Sequence, residues 1–166
     1  EGETLQEWIR ENGRMPAEEA FRRILPVVRT LGKIHRRGII HRDISPDNLM
    51  VLTDGSLRLM DFGAARDYGE EAKRGLSMIL KDGYAPIEQY RTGTAQGPWT
   101  DVYSLCASMY ACVAGTAPEM SAARALRDGL RPPSALGADI TGEEEAVLLK
   151  GLAVEPSGRF QAMEEL

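Results

Sequence analysis

Residues 102–115 read VYSLCASMYACVAG, a run that is apolar on nearly every face. A helix of that composition has no side to offer water, so it has to be threaded through a core and wrapped by other elements. The run is too short to span a bilayer and reads as a core helix instead. Enough material exists to wrap it: 166 residues at 43% hydrophobic supply one sizeable core, hence one domain or a large piece of one. The run also holds the only two cysteines, Cys106 and Cys112, six apart and without metal-ligand spacing. They read as buried thiols of a reducing compartment, so the cytoplasm is the expected location. No basic-then-apolar leader opens the sequence, and any membrane anchor is expected only outside this segment. A net charge of −5 leaves no electrostatic footprint for nucleic acid. The local basic cluster Lys33, Arg36, Arg37 and Arg42 reads as favourable charge at a helix C-terminus.

The wrapping elements have helical periods. Thr4-Leu-Gln-Glu7 has capping-box spacing and leads into Leu5, Trp8 and Ile9, with Asn12-Gly13 as the stop. A longer helix opens near Pro16, carries Phe21, Ile24, Leu25, Val28, Leu31 and Ile34 at helical spacing, is expected to bend at Pro26, and closes at Arg36-Arg37-Gly38. Thr141-Gly-Glu-Glu144 is a second capping box before Val147, Leu148 and Leu152, and Phe160, Met163 and Leu166 predict a last helix cut short by the chain end. Between these, the period changes. Leu49 to Leu52, the turn Thr53-Asp-Gly-Ser56 and Leu57 to Met60 predict one small β-hairpin. Residues 62–91 have no sustained period and predict a long functional loop.

The chemistry gathers at that hairpin. HRDISPDNLM (41–50) places Asp43 and Asn48 on the loop entering its first strand, and Asp61 stands at the exit of its second. A hairpin brings those ends together, so three oxygen-bearing side chains converge. Asn48 and Asp61 offer hard oxygen ligands for magnesium, and Asp43 can accept a proton from an attacking hydroxyl, which is the equipment of phosphoryl transfer. His-Arg-Asp-x-x-x-x-Asn followed by Asp61-Phe62-Gly63 resembles the catalytic loop and metal-binding motif of protein kinases. Ala85-Pro86-Ile87-Glu88 resembles the motif closing the kinase activation segment, Asp101 the aspartate opening the family's buried helix, and Arg159 the arginine that pairs with that glutamate. The resemblance covers essentially the whole chain and is nearest to bacterial serine/threonine kinases.

The resemblance implies a mainly α, protein-kinase-like C-terminal lobe, residues 1–166, with catalytic loop 41–48 and activation segment 61–88. It implies ATP and magnesium as cofactors, a protein substrate, and Met50 or a neighbour in the adenine floor. It also implies that the N-terminal lobe is absent, because no glycine loop or Val-Ala-Ile-Lys strand precedes the hinge position; the segment alone is then expected to be inactive. The chain departs from the family at one informative place. Serine/threonine kinases usually carry lysine two residues after the catalytic aspartate, where this chain has Ser45, and Lys81 stands where a threonine is usual. The two residue types look exchanged, so Lys81 is expected to reach toward Asp43 with Ser45 supplying the hydroxyl. Arg42 suggests a grip on an activation-loop phosphate, with Ser77 the candidate and Tyr84 expected to be packed. Two rival readings are a pseudokinase that serves as a binding module and a small-molecule phosphotransferase of kinase-like fold.

Overall fold

The computed structural model describes residues 2–63, 65–67 and 80–166. Helix α1 (Leu5–Asn12) is opened by the predicted capping box: the Glu7 amide donates to Thr4 Oγ1 at 3.1 Å and the Thr4 amide donates back to Glu7 Oε2 at 2.8 Å. Helix α2 (Ala17–His35) runs on through Pro26. Its buried face, which includes Ala20, Ile24, Val27 and Leu31, lies against the core. The helices that follow are α3 (Ile87–Tyr90), α4 (Pro98–Ala114), α5 (Ser121–Arg124) and α6 (Gly142–Gly151), the last opened by the second capping box at Thr141.

As expected from its composition, α4 is the axis of the fold, and every residue from Thr100 to Ala114 is buried. Leu5 and Ile9 of α1, the apolar face of α2, and Leu148 of α6 with the adjacent Leu152 close around it. The packing against α6 is tight enough to demand glycine, because a Cβ on Gly151 would stand 2.2 Å from Cys106 Sγ. Burial pushes the Cys106 thiol and the Cys112 thiol each up to about 12. Since thiolate is the nucleophile, iodoacetamide is expected to leave both cysteines unmodified in the folded protein at mildly alkaline pH and to alkylate both in denaturant. Mass spectrometry reads the outcome, and rapid labelling of the native protein would contradict the packing.

Strands are few and short. The predicted hairpin is present as β3 (Leu49–Val51) and β4 (Leu57–Leu59), antiparallel with Leu49 opposite Leu59 and Val51 opposite Leu57. Leu49, Val51, Leu57 and Leu59 all face the core. A third strand, β1 (Glu3–Thr4), adds to the far side of β3, and β2 (Ile39–Ile40) pairs with β5 (Arg66–Asp67). Neither pairing was expected, since two residues carry no readable period.

The C-terminal stretch differs from expectation. Residues 160–166 form bends and turns, not a helix, although Phe160 and Met163 are buried as anchors. Side chains there take the backbone groups that a helix would use: Gln161 Nε2 donates to the Pro156 and Arg159 carbonyls, and the Gln161 amide donates to the Glu165 carboxylate. Among the described residues, no helix is long and apolar enough to cross a membrane.

Candidate active site

The loop at residues 41–48 hangs from the head of α4. Asp101, in the first turn of that helix, is fully buried, and its carboxylate accepts the His41 amide at 2.8 Å and the Arg42 amide at 2.9 Å. His35 Nε2, from the end of α2, meets the same carboxylate at 2.7 Å, so its proton is assigned to that nitrogen. These bonds matter because Arg42 has a left-handed backbone, with φ of +72°. A non-glycine residue in that region costs about 1–3 kcal/mol and persists only where its surroundings over-determine it. Gln89 adds a further tie by donating to the Arg42 carbonyl at 2.9 Å, while Arg42 Nε donates to Gln96 Oε1 at 3.0 Å.

Pro46 then opens a 3-10 turn (Pro46–Asn48), closed by the Asn48 amide on the Ser45 carbonyl at 3.0 Å, which folds the chain back into β3. The turn brings Asn48 Nδ2 onto both the Asp43 carbonyl, at 2.7 Å, and Asp43 Oδ2, at 2.9 Å. An asparagine that spends both bonds of its nitrogen on one residue holds that residue's carboxylate in one orientation. Its own Oδ1 forms no hydrogen bond among the described residues.

Across the hairpin, the Met60 amide donates to the Asn48 carbonyl at 2.8 Å, extending the β3–β4 ladder by one bond. Asp61 follows, also left-handed at φ of +53°, with an exposed side chain whose Oδ1 accepts the Gly63 amide at 2.8 Å. Phe62 places its ring against His41, edge to face, with centroids 4.9 Å apart. Asn48 and Asp61 thus stand at neighbouring positions on one end of the hairpin.

The donor set fits magnesium. One carboxylate and one amide oxygen are hard ligands, few enough to leave positions for water and phosphate, which is how that ion is usually held. Among the described residues, no group of three or more histidine, cysteine or carboxylate side chains forms a metal cage. Such a cage suits an ion bound for structure, whereas an open pair suits one shared with a substrate.

Lys81 enters from another part of the chain. Its ammonium donates to Ser45 Oγ at 2.9 Å and stands 3.4 Å from Asp43 Oδ1. Ser45 is fully buried, while the Lys81 side chain keeps about a third of its surface open. Together with Tyr84 and Gln89, Asp43 and Lys81 line a shallow cleft. Tyr84 is half-buried, and desolvation pushes its phenol up to about 12, so it stays protonated. Ser77 and Tyr68 lie outside the described residues.

The end of the same segment is locked by a buried ion pair. Arg159 Nη1 donates to Glu88 Oε1 at 2.8 Å and Nη2 to Oε2 at 3.1 Å, with both side chains wholly excluded from water. Thr100 Oγ1 donates to Glu88 as well, at 2.9 Å. Met50 is half-buried on β3, between two residues that face the core.

Some of these residues escaped sequence reasoning. The tie from His35 to Asp101 joins positions 66 apart, and nothing local marks it. Nothing local in the sequence marks Gln89 or Gln96 either. Gly83, in contrast, left a signal in the Asp82-Gly83 pair: its φ is +84° and a Cβ there would stand 2.7 Å from the Pro118 carbonyl oxygen.

Comparison with known proteins agrees with this geometry. The family profile described as "Protein kinase domain" matches residues 1–135. The serine/threonine-protein kinase PknB of Mycolicibacterium smegmatis is 33% identical over 175 aligned residues, which cover 100% of this chain and 28% of that protein. PknB of Mycobacterium tuberculosis is 32% identical with the same coverage. A probable serine/threonine-protein kinase of Clostridium perfringens is 27% identical over 172 residues, covering 100% of this chain and 25% of that protein. The chain therefore spans little more than a quarter of the length of these relatives.

Proposed function

This chain belongs to the protein kinase family, and we propose on that premise that it is the C-terminal lobe of a bacterial-type serine/threonine kinase. The parent protein transfers the γ-phosphoryl group of ATP to a hydroxyl of a protein substrate. The observation that supports this reading is the Asn48 bond to the Asp43 carboxylate at 2.9 Å, on the hairpin end where Met60, the residue before Asp61, bonds to the Asn48 carbonyl.

Each side chain has a distinct task. Asp43 receives the hydroxyl of the substrate and accepts its proton as the oxygen attacks phosphorus. Asn48 keeps that carboxylate aimed, and its Oδ1 together with the Asp61 carboxylate would hold magnesium. Held there, magnesium would supply positive charge that offsets part of the charge of the phosphates. Met50 contributes to the floor beneath the adenine. Such catalysis is almost wholly positioning and electrostatics, so a lobe that only half-encloses the nucleotide is inactive alone and works against an N-terminal lobe from elsewhere in the same protein.

The test uses the full-length protein with labelled ATP and magnesium, offering protein acceptors beside a panel of aminoglycosides. Label on serine or threonine of the protein acceptors, lost on chelation of the metal, supports the reading. Transfer to the aminoglycosides alone would make this a small-molecule phosphotransferase. Nucleotide binding without transfer to any acceptor would make it a binding module.

A further inference from the structure

Lys81 touches the catalytic loop but does not belong to it. One of its N–H groups is given to Ser45 Oγ at 2.9 Å, the ammonium stands 3.4 Å from Asp43 Oδ1, and the side chain remains about a third exposed. An ammonium has three donors, so at least one is left for a group arriving beside Asp43. The stretch that carries it, residues 80–88, is seated by contacts in which the Lys81 side chain takes no part. Gly83 approaches the Pro118 carbonyl so closely that a Cβ would stand 2.7 Å from it. Ser121 Oγ donates to the Ala85 carbonyl at 2.8 Å, and Glu88 is held by Arg159. The Lys81 carbonyl in turn accepts the amides of Tyr84 and Ala85, at 3.0 and 2.9 Å, closing the turn from which the side chain leaves.

We propose that Lys81 is the cation that stabilises the phosphoryl group in transit, and that its place on the activation segment makes the seating of residues 80–88 a condition of the chemistry. This rests on the kinase reading given above. A phosphoryl group passing between two oxygens spreads negative charge over its remaining oxygens, and a fixed positive group beside it lowers the barrier. Within the catalytic loop, Arg42 gives its Nε–H to Gln96, and residues 43–48 carry no positive charge. Among the described residues, the cation paired with Asp43 is Lys81, and it reaches the loop from the segment.

The step balances without spending a proton of the lysine. The acceptor oxygen bonds to the γ-phosphorus as the bond to the β–γ bridging oxygen breaks. Its electron pair leaves with ADP, and the hydroxyl proton passes to the Asp43 carboxylate. Lys81 keeps its protons and contributes charge. A cation that arrives by segment, not by loop, is withdrawn whenever the segment lifts. Activity then depends on the Gly83 and Ser121 contacts far more than it would with the lysine built into the loop.

The experiment measures steady-state protein phosphorylation by the full-length protein and by three variants. Lys81→Met is expected to lower kcat by about 100-fold while changing the KM for ATP by less than about threefold. The exchanged protein Ser45→Lys/Lys81→Thr, which moves the cation onto the loop, is expected to recover to within about tenfold of the unsubstituted enzyme. Gly83→Ala, which unseats the segment, is expected to cost about tenfold or more in the original background and clearly less in the exchanged one. Thermal melts check that each variant folds, and should Lys81→Met fail to fold, the exchanged protein alone decides the cation assignment. Retention of kcat by Lys81→Met, or no recovery in a folded exchanged protein, overturns the assignment; equal Gly83→Ala losses overturn the dependence on seating. An unsubstituted protein that phosphorylates nothing overturns the kinase reading itself, and this inference with it.

Discussion

Asp43→Asn in the full-length protein is expected to reduce kcat for protein phosphorylation by about 1,000-fold, within the usual range for loss of a general base. The substitution keeps the shape and removes the charge. An amide cannot take the hydroxyl proton, and it no longer offers Lys81 a counter-charge at 3.4 Å. Asn48 Nδ2 would keep its 2.7 Å bond to the main-chain carbonyl, so the loop has no reason to collapse. Nucleotide affinity is therefore expected to change little. Asp61→Asn makes the contrast: it removes the carboxylate proposed to hold magnesium, so magnesium-dependent nucleotide binding should weaken along with turnover. Calorimetry of ATP binding beside a steady-state assay separates the two. Full activity in Asp43→Asn would remove the aspartate from the mechanism.

The second large effect is on stability. Arg159→Met is expected to destabilise the kinase domain by about 3–5 kcal/mol, because it strands the Glu88 carboxylate in a site with no water. All five guanidinium donors are in use: Nε on the Ala153 carbonyl, Nη1 on Glu88 and the Trp99 carbonyl, Nη2 on Glu88 and the Val154 carbonyl. Replacing both partners, Glu88→Met with Arg159→Met, removes the orphaned charge but leaves three carbonyls without this donor. The double variant is thus expected to recover part of the loss and not all of it. Urea unfolding of the single and double variants measures the difference, and a single variant as stable as the unsubstituted domain would contradict the buried pair.

Much of this architecture was legible from the sequence, for reasons that can be named. The two capping boxes are local devices, so Thr4-Leu-Gln-Glu7 and Thr141-Gly-Glu-Glu144 could be read without knowing the fold. Helix α4 announced itself because burial on every side leaves a composition that periodicity cannot hide. The neighbourhood of Asp43, Asn48 and Asp61 follows from one hairpin, the shortest-range tertiary event there is. Lys81 could be placed beside Ser45 because two residue types looked exchanged relative to a known pattern, although 36 positions separate them.

What stayed illegible was set by packing across long separations. His35 could have been any helix-end histidine; its role exists only because the end of α2 meets the head of α4. The β1 pairing with β3 needs two residues and leaves no period. At 160–166, the apolar spacing was real and the anchoring it implied is present, but Gln161 and Glu165 bind the local backbone in ways that compete with a helix.

The two amides that rest on Asp101 have one last implication. Residues 41 and 42 are moored by their amides to a carboxylate with no exposure to solvent, on a helix buried along its whole length from Thr100. Heat or denaturant is therefore expected not to slacken residues 41 and 42 by degrees while the interior stays intact. Loss of the left-handed turn at Arg42 and melting of the interior are expected as one cooperative event, so hydrogen-exchange protection of the His41 and Arg42 amides should vanish at the same midpoint as the circular dichroism of the helices.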